Sequence, residues 1–266
     1  MECVVNGRTL AFERRGAGPP IVLLNGFAAT RLDWDPTFLA ALAEEHELVQ
    51  LDNRGVGDSP PDAQPFTVDD LAEDVGGVLD EAGLERPAVL GWSMGGFIAQ
   101  ALAAAQPDRV SALVLLSTRA AGDTSAPVTA EARARLFDFS GTPREQASRL
   151  ISLLFPPGRA REIDEEFGEV VAAARAALPM ETVLAQEQVL KDWGHREPNL
   201  SSITCPTLVA AGAEDEVIPP RNAENLAAGI DGAWLARFPR SGHGFMADHP
   251  LPLAALIASF LVANTP

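Results

Sequence analysis

Val89-Leu90-Gly91-Trp92-Ser93-Met94-Gly95-Gly96-Phe97-Ile98-Ala99-Gln100 is the stretch on which the reading of this chain turns. It opens on an apolar run, passes through Gly91, Ser93 and Gly95 in a G-x-S-x-G pattern, and continues into alanine-rich sequence of helical character. A nucleophilic serine must project from a sharp, strained strand-to-helix turn, and glycines two residues to either side let strand and helix approach without side-chain clashes. The N-terminus of the following helix also favours negative charge developing beside the serine. Glycine and serine are common, so the bare pattern is weak. The strand before it and the helix after it give it weight over the plain alternative, a tight glycine turn with a solvated serine.

The surrounding sequence supplies that context. Short apolar runs recur at Ile21 to Leu24, Leu48 to Leu51, Ala88 to Leu90, Ala112 to Leu116 and Leu208 to Ala211. Each has the length of a strand buried on both faces, as in a parallel sheet. Between them lie stretches with helical spacing, such as Val68, Leu71, Ala72, Val75 and Leu79. This alternation predicts an α/β fold with a parallel sheet covered on both faces. At the start, Cys3 to Val5, Asn6-Gly7 and Arg8 to Glu13 read as a β-hairpin on an Asn-Gly turn. From about 120 to 199 the strand rhythm stops. A helical, charge-rich insertion is predicted there, broken at Pro143, at Pro156-Pro157-Gly158 and at Pro179.

Four further segments accompany the serine motif, in order along the chain: Leu23-Leu24-Asn25-Gly26-Phe27, Asp52-Asn53-Arg54-Gly55-Val56-Gly57-Asp58-Ser59, Gly212 to Pro219, and Ser241-Gly242-His243-Gly244. With them the chain resembles the α/β-hydrolase fold family over almost its whole length. The segments match the family's oxyanion loop, its D-x-R-G-x-G-x-S segment, its acid loop and its histidine loop. The resemblance implies a mostly parallel eight-stranded sheet flanked by helices, with a helical cap inserted after the sixth strand. The core would then comprise 1–119 and 200–266, and the cap 120–199.

A nucleophilic serine needs a base and an anion to orient that base. Of four histidines, His46 sits in a charged helix end and is expected to be solvated. His195 closes the insertion, and His249 precedes Pro250 at a helix start, where capping is the simpler role. His243, in a glycine-flanked loop beyond the apolar stretch Trp234 to Phe238, is the expected base, within hydrogen-bond reach of Ser93. Three carboxylates, Glu214, Asp215 and Glu216, compete for the acid; the family spacing G-x-x-D-x-x-x-P selects Asp215. The other position used in the family, after the sixth strand, reads Ser117-Thr118 here, with no carboxylate before Asp123. The resemblance places the oxyanion hole on the backbone N–H groups of Phe27 and Met94, with Phe27, Trp92 and Met94 making an apolar pocket. Asn25 stands where the family usually has histidine before the loop glycine; its amide can still hold the loop. Asn25, Trp34 and Trp92 are candidate pocket residues, while Asp52 and Arg54 are expected to brace loops.

Composition limits the partners. The 266 residues are 47% hydrophobic and 21% charged, enough for a full core. A formal net charge of −17 disfavours nucleic acid and anionic membranes, though not an anionic small molecule. Cys3 and Cys205 form no redox pair, and no Cys/His cluster has metal spacing, so neither metal nor other cofactor is implied. Neither a signal peptide nor a membrane-length apolar run is recognised, so a soluble cytoplasmic protein acting on a small molecule is expected. Oligomeric state is not encoded in any of these patterns.

The expected reaction is hydrolysis of a small or medium-sized carboxylic ester or lactone through an acyl-enzyme on Ser93. Relatives that use the same triad for carbon–carbon bond hydrolysis, peracid formation or acyl transfer are the alternatives. So is a non-hydrolytic ligand-binding or lyase-like protein. Epoxide and haloalkane hydrolysis is disfavoured, because those relatives carry aspartate at the position of Ser93.

Overall fold

A computed structural model describes residues 1–61, 64–122 and 126–264; Asp123 lies outside the described residues. Eight strands form one sheet: β1 (Glu2–Val5), β2 (Arg8–Arg15), β3 (Pro20–Leu24), β4 (Glu47–Leu51), β5 (Ala88–Trp92), β6 (Ala112–Leu116), β7 (Thr207–Gly212) and β8 (Trp234–Phe238). Their order across the sheet is β1-β2-β4-β3-β5-β6-β7-β8. The first two strands form the antiparallel hairpin foreseen from Asn6-Gly7, both turn residues having positive φ (50° and 81°). β2 also pairs antiparallel with β4, and every later pairing is parallel.

The helices are α1 (Pro36–Ala43), α2 (Val68–Glu81), α3 (Met94–Ala105), α4 (Ala130–Leu136), α5 (Pro143–Leu154), α6 (Pro157–Ala177), α7 (Met180–His195), α8 (Arg221–Gly229), α9 (Phe245–Asp248) and α10 (Pro250–Asn264). The period-2 alternation of β3 sorts its side chains between two cores. Ile21 and Leu23 pack with Trp34, Phe38, Ile257 and Phe260 beneath α1 and α10. Val22 and Leu24 pack with Val75, Phe97 and Ile98 beneath α2 and α3. Both faces are therefore buried, which explains why β3 to β7 read as largely apolar runs, Gln50 of β4 being a buried exception. β8 differs: it is an edge strand, with Trp234 41% and Leu235 48% exposed although the stretch Trp234 to Phe238 is mostly apolar.

Helices α4 to α7 lie between β6 and β7. The proline breaks in this stretch mark helix starts, where the missing N–H costs nothing. Pro143 and Pro157 are the first residues of α5 and α6, and Pro179 caps α7. Thr142 and Glu145 add a reciprocal capping box at α5.

The loop after β4 is held by two ion pairs. Asp52 pairs with Arg31, accepts the Arg31 amide (2.7 Å) and the Asp58 amide (3.1 Å). Arg54 reaches α2, its Nε donating to Asp74 at 2.6 Å with both side chains about 3% exposed. Asp52 and Arg54 thus brace the loop through separate partners. Removing one member of a buried pair leaves the other charged and desolvated, so Arg54→Met is expected to cost about 3 kcal/mol in urea unfolding. Adding Asp74→Leu should recover most of that loss, because the uncompensated carboxylate is then gone.

Candidate active site

Ser93 sits between β5 and α3 with φ 56° and ψ −119°. Few L-residues adopt this conformation, and such strain persists only when surrounding structure over-determines it. Here the determinants are explicit. The Ser93 amide donates to the Leu116 carbonyl on β6 (2.9 Å), and the Ser93 carbonyl accepts from Thr118 Oγ1 (2.7 Å) and the Gly96 amide (3.0 Å). A Cβ on Gly91 would collide with the Gly95 backbone, and one on Gly95 with the Leu24 carbonyl. The two glycines thus allow α3 to start directly against the strand ends.

The histidine loop and the acid loop are joined by one bond. His243 Nδ1 lies 2.8 Å from Asp215 Oδ2, with the two side chains 3% and 0% exposed. The other carboxylate oxygen, Oδ1, accepts the amides of Val217 (2.9 Å) and Ile218 (2.8 Å). A carboxylate so held accepts a hydrogen bond from Nδ1–H of the imidazole, keeps the proton on that nitrogen and leaves Nε2 as the acceptor. The acid loop is also tied to the histidine loop by the Glu214 amide on the Ser241 carbonyl (2.8 Å), and Trp92 Nε1 donates to the His243 carbonyl (3.1 Å).

Ser93 and His243 open on one cleft with Gly26, Phe27 and Trp92. No hydrogen bond joins Ser93 to His243 in this structure, in contrast to the sequence-based expectation. Such contacts commonly tighten only with substrate in place. The loop after β3 lies against the serine: a Cβ on Gly26 would come 3.2 Å from Ser93 Cβ. Phe27 and the Met94 amide therefore flank Ser93, Met94 being the first residue of α3.

The cleft has about 990 Å³ of empty space, its mouth included. Phe137, Leu150 and Leu154 from the helices after β6 line it, and Phe27 packs edge-on against Phe137 (5.2 Å) and Phe139 (6.4 Å). Trp193, by contrast, is buried and stacks on Phe97 at 5.0 Å. The wall carries charge the sequence reading missed: Asp33, Arg119, Arg133, Glu187 and Lys191. Lys191 pairs with Glu187 one helical turn away (2.8 Å). Arg119 donates to the Ala120 carbonyl and lies over Phe97. Deeper in α6, burial pulls the Arg175 guanidinium down to about 10 against the attraction of Asp33, and its charge rests on the Phe139 ring at 4.1 Å.

Three expected pocket residues lie elsewhere. Trp34 is 3% exposed and packs between Phe38 and Trp92 in the core beneath α1 and α10. The Met94 side chain is buried among the core residues beneath α3. Asn25 is fully buried behind the cleft wall, its Nδ2 donating to the Leu51 carbonyl at 2.8 Å. It ties the end of β3 to β4, the loop support foreseen for it, and does not touch the cleft. His46, expected in solvent, is 5% exposed. His195 is exposed at the end of α7, and His249 approaches the Pro239 carbonyl, a structural role. Among the described residues no cluster has the make-up of a metal site, and no helix is long and apolar enough to cross a membrane. Because Asn25→Ala leaves the Leu51 carbonyl buried without a donor, it is expected to lower unfolding free energy by about 1–3 kcal/mol in urea denaturation.

Comparison with known proteins agrees with this geometry. A protein of Azorhizobium caulinodans named as the carbamate hydrolase RutD is 33% identical over 91% of this chain and 90% of its own. A solved hydrolase from Pseudomonas aeruginosa superposes with TM-score 0.85, 31% identity, and coverage of 98% and 97%. A thermophilic esterase from Thermogutta terrifontis superposes with TM-score 0.83, 27% identity, and coverage of 99% and 98%. The sequence profile of the α/β hydrolase fold matches residues 19–250, so the sheet order, the serine turn and the loops around it are those of a chain that belongs to the α/β-hydrolase family.

Proposed function

We propose that this protein is a serine hydrolase that cleaves a small or medium-sized carboxylic ester or lactone through an acyl-enzyme on Ser93. The observation that carries the reading is the strained serine opening on the same cleft as a histidine whose Nδ1 is fixed by a buried aspartate. Ser93 Oγ attacks the substrate carbonyl while His243 Nε2 takes its proton. The developing oxyanion rests on the amides of Phe27 and Met94. Donors of this kind typically contribute about 2.7–4 kcal/mol each to transition-state stabilisation. His243 returns the proton to the leaving group as its bond to the carbonyl carbon breaks, then removes a proton from water, whose oxygen attacks the acyl carbon, and passes that proton to Ser93 Oγ as the acyl–serine bond breaks. Helices α4 to α7 serve as the lid, and Phe137, Leu150 and Leu154 supply its apolar ceiling.

A carbamate is a second reading, favoured by the name of the Azorhizobium caulinodans relative and by the charged groups on the cleft wall. The same machinery serves it, because a carbamate offers a carbonyl to the serine and a heteroatom leaving group to the imidazolium.

Hydrolysis of a panel of chromogenic esters, lactones and carbamates separates these readings. Activity is expected on at least one class and should vanish in Ser93→Ala. Asp215→Asn, which holds the wrong histidine tautomer, is expected to lower kcat by about 10⁴-fold. A panel on which Ser93→Ala equals the unmodified protein would overturn the proposal.

A further inference from the structure

The glycines on either side of His243 are not required for their backbone freedom. Neither Gly242 nor Gly244 has positive φ, and Gly244 sits at φ −90° and ψ 30°, where alanine carries no left-handed penalty. What excludes a side chain is the bend between α5 and α6. A Cβ on Gly242 would collide with the Leu154 carbonyl, and one on Gly244 would come 2.5 Å from Cζ of the Phe155 ring.

The peptide between His243 and Gly244 is held on both edges. Its carbonyl accepts from Trp92 Nε1 (3.1 Å), and its N–H donates to the Leu154 carbonyl (3.0 Å). In a trans peptide these two groups point in opposite directions, and the plane they share contains the Cα of His243. Clamping that plane fixes the point from which the imidazole leaves the backbone. Asp215 fixes the far end of the side chain at Nδ1.

The bend is itself anchored. Phe155 joins a small apolar cluster with Ile151, Ile163 and Phe167 that takes in Ala247 of α9. Arg159 adds two bonds to the same short helix, from Nε to Asp248 (3.2 Å) and from Nη2 to the Ala247 carbonyl (3.1 Å), across almost 90 positions of sequence. The bend and the segment from His243 to Asp248 thus form one packed unit.

We infer that Phe155 is a positioning residue: its ring, seated on Gly244, holds the His243–Gly244 peptide against Trp92, so that the base is in place only while the α5–α6 bend stays packed on its loop. The inference rests on the proposed roles of Ser93 and His243 and adds a condition to them.

An exchange of size tests it. Gly244→Ala places a methyl group against the ring, and Phe155→Leu removes the ring atoms that the methyl would strike. Each change alone is expected to lower kcat on the best panel substrate about tenfold, part of the roughly 10²–10⁴-fold that a positioned base supplies. Phe155 does not line the cleft, so KM should stay within about twofold. Residues in contact couple in a double-mutant cycle, and the two changes together are expected to bring kcat back to within about threefold of the unmodified protein. The low-field resonance of the His243 Nδ1 proton, bonded to Asp215, reports the placement of the base without turnover. It should be sharp in the unmodified protein, broadened in each single variant and sharp again in the double one. A ring that only stabilised the lid would lower the melting temperature and leave this resonance unchanged. Losses that multiply in the double variant would overturn the inference, and so would a Phe155→Leu protein with unchanged kcat and resonance. If the unmodified protein cleaves nothing, the hydrolase reading fails on its own, and the resonance series still decides the role of Phe155.

Discussion

The site is organised by a single strained residue. Ser93 holds φ 56° and ψ −119° because its amide is claimed by β6, its carbonyl by Thr118 and Gly96, and the approach of α3 to the strand ends is permitted only by glycines. Those bonds come from a strand, a loop and a helix that converge on the serine. The parallel sheet is therefore more than a scaffold. It delivers the carboxyl ends of β3, β5, β6 and β7 to one edge, so that the loops following them converge on a single point.

Around that point the supporting chemistry is arranged in depth. Asp215 uses one oxygen to fix His243 and the other to fix itself on two amides of its own loop, so neither oxygen can swing away from its task. Asn25 ties the loop after β3 back to β4, and Arg31, Asp52, Arg54 and Asp74 hold the neighbouring loop from both sides. Helices α5 and α7 add contacts from above: the Leu154 carbonyl accepts the Gly244 amide beside His243, and Gln186 accepts the amide of Ala28. Both anchors reach loops of the proposed catalytic centre. The segment that would roof the cleft is therefore coupled to the geometry beneath it.

Much of this was legible in the chain. The runs at 21–24, 48–51 and 112–116 marked the strands because parallel strands buried on both faces are apolar along most of their length, and the Asn-Gly hairpin followed from the φ its turn demands. The glycine-flanked serine, the acid loop and the histidine loop were visible because their residue types are set by backbone geometry and proton chemistry. Other features depend on tertiary neighbours. Trp34 and Met94 carry side chains that suit a core and a pocket equally, and only packing sent them to the core. His46 is buried despite glutamates on both sides of it in sequence. Arg119 and Lys191 reach the cleft from separate segments that no local pattern connects. Gln186 left one trace, an amide side chain among the buried residues Thr182, Val183, Val189 and Trp193 of α7, but its partner lies 158 residues away.

The central claim is a covalent one: during turnover an acyl group resides on Ser93. Intact-protein mass spectrometry of a reaction quenched in the steady state with a slowly released acyl ester, followed by peptide mapping, tests it directly. The account predicts an adduct of the mass of the acyl group minus one hydrogen, on the peptide containing Ser93, absent from Ser93→Ala and formed far more slowly in His243→Ala. Product formed with no adduct at any quench time, or an adduct mapped to another residue, would contradict it.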